Sequence, residues 1–149
     1  MKILMVCLGN ICRSPLAEGI MKTKLTGDFL VDSAGTISMH EGEHPDRRAV
    51  KTAANHTIDI SQQRSRPITK DDFKTFDKIY CMDASVYKEV LSRAETEEER
   101  QKVLLFLEAA GTHGNTDVPD PYWGGMEDFE KVYQLLDKGC DAIVSQILV

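Results

Sequence analysis

Apolar positions along this 149-residue chain switch repeatedly between short unbroken runs and a helical spacing. Ile3-Leu4-Met5-Val6, Phe29-Leu30-Val31, Lys78-Ile79-Tyr80-Cys81-Met82 and Val103-Leu104-Leu105-Phe106-Leu107 are the runs, and they predict four buried, parallel strands. Between them, Leu16, Ala17, Ile20, Met21 and Leu25 recur at helical spacing and predict a helix from about Pro15 to Leu25, with Ser14 as its N-cap and Pro15 as its first residue. Asp46 reads as the cap of a second helix carrying Ala49, Val50 and Ala53. Thr69-Lys70-Asp71-Asp72 resembles a capping box opening a short helix with Phe73 and Phe76 inward, and Asp83 caps another that carries Val86, Tyr87, Val90 and Leu91. Thr96 to Glu99 matches a capping box, or else is a solvated acidic turn. Met126, Phe129, Val132, Tyr133, Leu136, Cys140, Ile143 and Ile147 trace one face of a long C-terminal helix.

The order β-α-β-α-α-β-α-β-α predicts an α/β fold in a single domain, residues 1–149, with a four-stranded parallel sheet and helices on both faces. Right-handed crossovers then gather the functional loops at the carboxyl ends of the strands. Gly111 to Asp120 is the longest stretch without periodicity, and loops of that length in a compact domain are usually functional.

A net charge of −6 argues against a general nucleic-acid or membrane surface, though a local positive site would still attract anions. No apolar stretch approaches the length of a membrane span, so a cytoplasmic protein is expected. Four cysteines without framework spacing fit reduced thiols better than a disulfide scaffold. His40-Glu41-Gly42-Glu43-His44 spells a zinc-peptidase motif, but Gly42 and Pro45 oppose the continuous helix that would place both histidines on one face. No metal or other cofactor is expected.

The chemistry concentrates between the first strand and the first helix. Five residues separate Cys7 from Arg13, and Ser14 follows at once. Free backbone N–H groups and the positive end of the helix dipole converge in such a loop, where an oxyanion is well held. The same field favours thiolate over thiol and makes Cys7 a usable nucleophile. Arg13 offers a planar fork for two phosphoryl oxygens, Gly9 permits a tight turn, and Asn10 tolerates the left-handed conformation that the wrap needs. Asp120, bracketed by Pro119 and Pro121, is a restrained carboxylate suited to protonating a leaving group.

Cys7-Leu8-Gly9-Asn10-Ile11-Cys12-Arg13-Ser14-Pro15 closely resembles the signature loop of the low-molecular-weight protein tyrosine phosphatases. Asp32-Ser33-Ala34-Gly35-Thr36, Arg66-Pro67-Ile68-Thr69, Cys81-Met82-Asp83 and Asp120-Pro121-Tyr122 extend the resemblance over essentially the whole chain. It implies hydrolysis of phosphotyrosine through a phosphocysteine on Cys7, with Arg13 and the loop amides holding the phosphoryl group and Asp120 serving as acid, then base. It enlists Ser33 in support, beside a Ser14 that orients Asn10 or donates to the Cys7 thiolate, and places Met39, His40, Tyr122 and Trp123 around the cleft; the alternative to a plain cap for Asp83 is a hydrogen bond that steadies the loop from an adjacent strand end. A reversible Cys7–Cys12 disulfide is also implied, with Cys12 as a passive loop residue the alternative. Expected partners are tyrosine-phosphorylated proteins or small aryl phosphates, with inorganic phosphate or vanadate as inhibitors and a monomer or weak homodimer as the working form.

The chain departs from the family pattern at Gln62 and Gln63, where a supporting histidine is common. Two relatives of similar fold compete as readings. Arsenate reductases relay oxidation through further cysteines, and Cys81 could supply one, but Lys88 stands where the second belongs. Protein arginine phosphatases carry threonine where Ile11 stands. A phosphotyrosine-binding module without catalysis would have no use for a reactive cysteine beside a poised acid.

Overall fold

In a computed structural model, which describes residues 1–148, four parallel strands form one sheet: β1 (Lys2–Cys7), β2 (Leu30–Gly35), β3 (Lys78–Cys81) and β4 (Val103–Leu105), in the order β2-β1-β3-β4. The helices are α1 (Arg13–Lys24), α2 (Arg47–Asn55), α3 (Asp72–Thr75), α4 (Ala84–Arg93), α5 (Glu97–Lys102), α6 (Phe106–Ala109) and α7 (Met126–Ile147), with a 3-10 turn at Pro121–Trp123. The expected fold class therefore holds.

The first apolar run is unbroken because β1 is covered on both sides. Ile3 and Met5 belong to one core cluster with Leu16, Ile20 and Met21 of α1 and Phe129, Val132 and Leu136 of α7. Leu4 and Val6 belong to a second with Phe73, Phe76, Val86 and Val90, under α3 and α4. Successive side chains of a strand point to opposite faces, so a strand between two helical layers must be apolar at every position.

The chain leaves β1 toward β2 on one side and returns to β3 on the other, which makes the carboxyl end of β1 the point where the winding reverses. Open α/β sheets bind ligands at such a point. Gly35 ends β2 beside it, and a Cβ there would stand 2.8 Å from the Leu8 carbonyl, so only glycine admits the loop this close to the sheet.

Two local expectations are corrected. Helix α1 begins at Arg13, with Cys12 in the cap position and no side-chain cap; the Ser14 hydroxyl turns inward instead. Pro15 is thus the third helical residue, where its missing N–H costs nothing because the first-turn donors have no partner within the helix. The run Val103–Leu107 does not stay extended: β4 stops at Leu105, and Phe106 and Leu107 enter the single turn α6, whose Phe106 ring packs edge-on to Tyr80. Of the two readings of Thr96 to Glu99, the capping box holds: Glu97–Lys102 is a helix capped by Thr96, which accepts from the Glu99 N–H at 3.1 Å. Elsewhere Asp46 and Asp83 cap α2 and α4 as expected, accepting from Arg48 and Val86. The segment containing His40 and His44 forms turns, not a helix; His40 faces Glu43 and His44 the Ser61 carbonyl.

Candidate active site

Residues 8–12 wrap from the end of β1 to the start of α1, and most of the carbonyls in that wrap are bonded away from the loop's interior. The carbonyls of Cys7, Leu8, Ile11 and Cys12 accept from the N–H groups of Thr36, Ile37, Asp46 and Leu16, and that of Gly9 accepts from the Ser65 hydroxyl. None of the N–H groups from Leu8 to Arg13 donates to another group among the described residues. With its carbonyls tied outward, the loop presents a ring of donors at the head of a helix, an arrangement built for an anion. Asn10 makes the turn with φ 57°, so the left-handed position falls on it rather than on Gly9. The His40 ring lies over Gly9, 3.1 Å from where a Cβ would be, so glycine there answers a close approach.

Cys7 and Arg13 sit at the base of a cavity of about 400 Å³, both nearly inaccessible. Arg13 Nη1 donates to Asp83 Oδ2 at 2.6 Å and to the Val118 carbonyl at 3.0 Å, while Nη2 is 3.8 Å from Asp120 Oδ2. Burial works against its charge, but Cys7, Asp83 and Asp120 outweigh that and hold the guanidinium charged well beyond neutral pH. Asp83 accordingly fills both roles open to it, capping α4 through Oδ1 and fixing Arg13 through Oδ2. Asp120 faces the cavity with its other oxygen, Oδ1, accepting from the Tyr122 N–H at 3.1 Å.

Below the loop, Ser14 Oγ lies 3.0 Å from Cys7 Sγ, and Asn10 Nδ2 donates to both Ser14 Oγ and Ser33 Oγ. Asn10 Oδ1 accepts from the Arg66 N–H, which fixes which way the amide faces. Leu8, Ile11, Met39, His40, Tyr122 and Trp123 line the cavity above, and Trp123 is 88 % exposed at its mouth. Tyr122 and Trp123 meet edge to face with centroids 4.9 Å apart. Cys12 also lines the cavity; burial pushes its thiol far up, with Asp46, Cys7 and Asp120 adding to the effect.

The residues that the sequence reading assigned to the site thus lie together around one cavity and the network beneath it. Others there were not singled out. Ile37 lines the cavity, and Arg48 donates to the carbonyls of Tyr122 and Gly124 at 2.9 and 2.8 Å, tying α2 to the aromatic wall. Glu18, only 4 % exposed, accepts from Ser33 Oγ at 2.6 Å. Gln62 is exposed, and Gln63 donates to the Pro15 carbonyl; neither joins the Asn10–Ser33 network. The Glu18–Lys22 spacing of four was the only sequence signal, and it reads as an ordinary exposed helix pair.

The family model described as low molecular weight phosphotyrosine protein phosphatase matches residues 2–148. The human low molecular weight phosphotyrosine protein phosphatase is 36% identical over 149 residues, spanning 97% of this chain and 94% of that protein. The crystal structure of a protein tyrosine phosphatase from Entamoeba histolytica, with Hepes in its active site, superposes with a TM-score of 0.93 at 40% identity, covering 99% of this chain and 97% of the other. A structure described as a Drosophila arginine phosphatase superposes with a TM-score of 0.92 at 31% identity, covering 100% and 99%.

Proposed function

The chain belongs to the low molecular weight phosphotyrosine protein phosphatase family, and from that premise we propose that it hydrolyses aryl phosphate monoesters, phosphotyrosine in proteins above all, through a phosphocysteine intermediate. One observation carries the reading: loop residues whose N–H groups donate to no other group among the described residues line the same cavity as Cys7 and Arg13.

The Cys7 thiolate attacks phosphorus in line with the leaving oxygen. The loop amides and Arg13 take the charge on the three equatorial oxygens, a role suited to fixed donors in a dry site. Asp120 gives its proton to the departing phenolate, then withdraws one from the water that cleaves the S–P bond and releases inorganic phosphate. The products are the free phenol, phosphate and the regenerated thiolate. The burial of Cys7 below exposed Leu8, Met39 and Trp123 favours a long phosphorylated ring over a short phosphoserine. The resemblance to an arginine phosphatase raises a second reading, which Ile11 opposes: its apolar side chain lines the cavity where a cationic guanidinium would have to be accommodated. Cys81 is fully buried in the core cluster on the other face of the sheet, which leaves the arsenate relay without a route.

Cys7→Ser is expected to abolish turnover of p-nitrophenyl phosphate while phosphate or vanadate still binds; appreciable residual turnover would rule out the sulfur as nucleophile. Peptides bearing phosphotyrosine, phosphoarginine or phosphoserine, compared side by side, rank the substrate classes.

A further inference from the structure

Helices α1, α4 and α5 each match a cation with an acid one turn away: Lys22 with Glu18, Arg93 with Glu89 and Arg100 with Glu97. Helix α2, Arg47–Asn55, contains no acid. Its Arg48 takes up the capping carboxylate of Asp46, donating from Nε to Oδ1 at 3.0 Å and from Nη2 to Oδ2 at 2.9 Å. Arg47 and Lys51 stand four residues apart on one face of the helix, both exposed, and among the described residues neither makes an ion pair or a side-chain hydrogen bond. With Asp46, Arg48 and Met126 they line a hollow of about 680 Å³. On its other side the pair borders Ser61, whose carbonyl accepts from exposed Arg64 at 3.3 Å. The acid there, Asp59, already accepts from the N–H and hydroxyl of Ser61.

This positive face adjoins the mouth of the active-site cavity. The Asp46 N–H donates to the Ile11 carbonyl at 2.8 Å and fixes the head of α2 to the cysteine loop, while Arg48, which lines the hollow, grips the Tyr122 carbonyl of the wall that lines the cavity. The chain as a whole carries −6, so its long-range field repels acidic proteins, and an uncompensated positive face beside the mouth orients them. We propose that Arg47 and Lys51 form a docking face for acidic residues flanking the phosphotyrosine of a substrate protein, so that the enzyme ranks phosphoproteins by the charge beside the phosphorylated ring. The inference rests on the proposed phosphotyrosine activity. A peptide whose ring reaches buried Cys7 leaves its neighbouring residues at the mouth, and an extended chain, advancing about 3.3 Å per residue, carries them across the surrounding surface. Carboxylates match both the arginine fork and the lysine point charge. A recess beside a catalytic mouth suits a peptide segment better than the plane of a membrane.

Two phosphotyrosine peptides test this, alike except that the glutamates on both sides of the ring in one are glutamines in the other. At low ionic strength kcat/KM is expected to be roughly threefold to tenfold higher for the glutamate peptide, the scale of two exposed ion pairs, and the difference should fade in about 0.5 M salt. Arg47→Gln with Lys51→Gln should erase the preference, and Arg47→Glu with Lys51→Glu should invert it. Both variants should hydrolyse p-nitrophenyl phosphate, which has no flanking residues, at the parent's rate, which also shows that they fold. Affinities of the two peptides for Cys7→Ser, by calorimetry, should follow the same order without chemistry. A chain that ranks the peptides in binding but hydrolyses neither would count against the phosphatase reading alone. Equal rates and affinities for the two peptides in the parent, or a preference that survives both pairs of substitutions, would overturn the proposal. Sedimentation with phosphatidylserine-containing vesicles that the charge reversal abolishes, without any peptide preference, would overturn it in favour of an anionic membrane.

Discussion

Arg13 and Asp83 meet at 2.6 Å across the point where the sheet reverses its winding, joining the head of α1 to the cap of α4. Arg13 is almost wholly buried and Asp83 about four-fifths so, which places their contact in surroundings where a charge-assisted hydrogen bond is strong and an unpaired guanidinium is costly.

Asp83→Asn separates the two tasks of that carboxylate. The amide oxygen still caps α4, while its NH₂ now faces the buried guanidinium, so the fall in thermal stability reports the broken ion pair with the cap kept. Turnover of p-nitrophenyl phosphate should fall by about tenfold or more, the worth of a hydrogen bond between charged groups. Asp83→Ala removes the cap as well and should cost about 1 kcal/mol more in stability. Equal activity in Asp83→Asn and the parent would remove Asp83 from the site.

Asp120→Ala should slow aryl phosphates in proportion to the basicity of the leaving phenol. Phenyl phosphate is expected to lose about 10²–10⁴-fold and a strongly activated nitrophenyl ester far less. Equal losses on both would refute the acid role.

Arg48→Ala tests the wall rather than the chemistry. Its guanidinium holds the carbonyls of Tyr122 and Gly124 and lies 4.6 Å from the Phe129 ring centroid, so its loss should free the Tyr122–Trp123 pair. KM for p-nitrophenyl phosphate is expected to rise about tenfold, while iodoacetamide, which needs no aromatic wall, should alkylate Cys7 as before. A parallel loss of alkylation would place Arg48 nearer the sulfur than its contacts indicate.

Asp46 makes the acid limb of stability predictable in sign. Burial raises its carboxyl, but hydrogen bonds from Arg48 and the N-cap geometry outweigh this and hold it below the ordinary 3.8. The unfolded chain therefore takes up the proton first as pH falls. Its stabilisation is complete above about pH 4 and fades below 3.8 as pH passes through the lower native value. Asp46→Asn should be less stable at pH 7 and show a shallower loss between pH 4 and 2, by chemical denaturation at each pH; an unchanged acid limb would contradict the assignment.

What was legible in the sequence follows from how local each determinant is. The loop is contiguous, so its spacing and the strand and helix around it announce the site. Asp120 lies 107 positions from Arg13, yet its two flanking prolines mark it. Arg48 and Glu18 carry no such mark. Arg48 acts by reaching two carbonyls distant in sequence, and Glu18 differs from a solvated helix carboxylate only because α1 is pressed onto β2 beside Ser33. Phe106 and Leu107 look like strand because periodicity cannot tell a buried turn from a buried strand; it is the packing of Phe106 against Tyr80 that decides. Ser14 looks like a cap because capping is its commonest use, and only the sulfur 3.0 Å away shows its other one.

The Val118 carbonyl, which steadies Arg13, comes 105 residues after it in the chain. A ribosome making this protein thus completes the cysteine loop well before the segment that holds its arginine. Under the proposed roles, competence toward phosphoproteins waits until the stretch carrying Val118 and Asp120 has been made and has docked beside the loop.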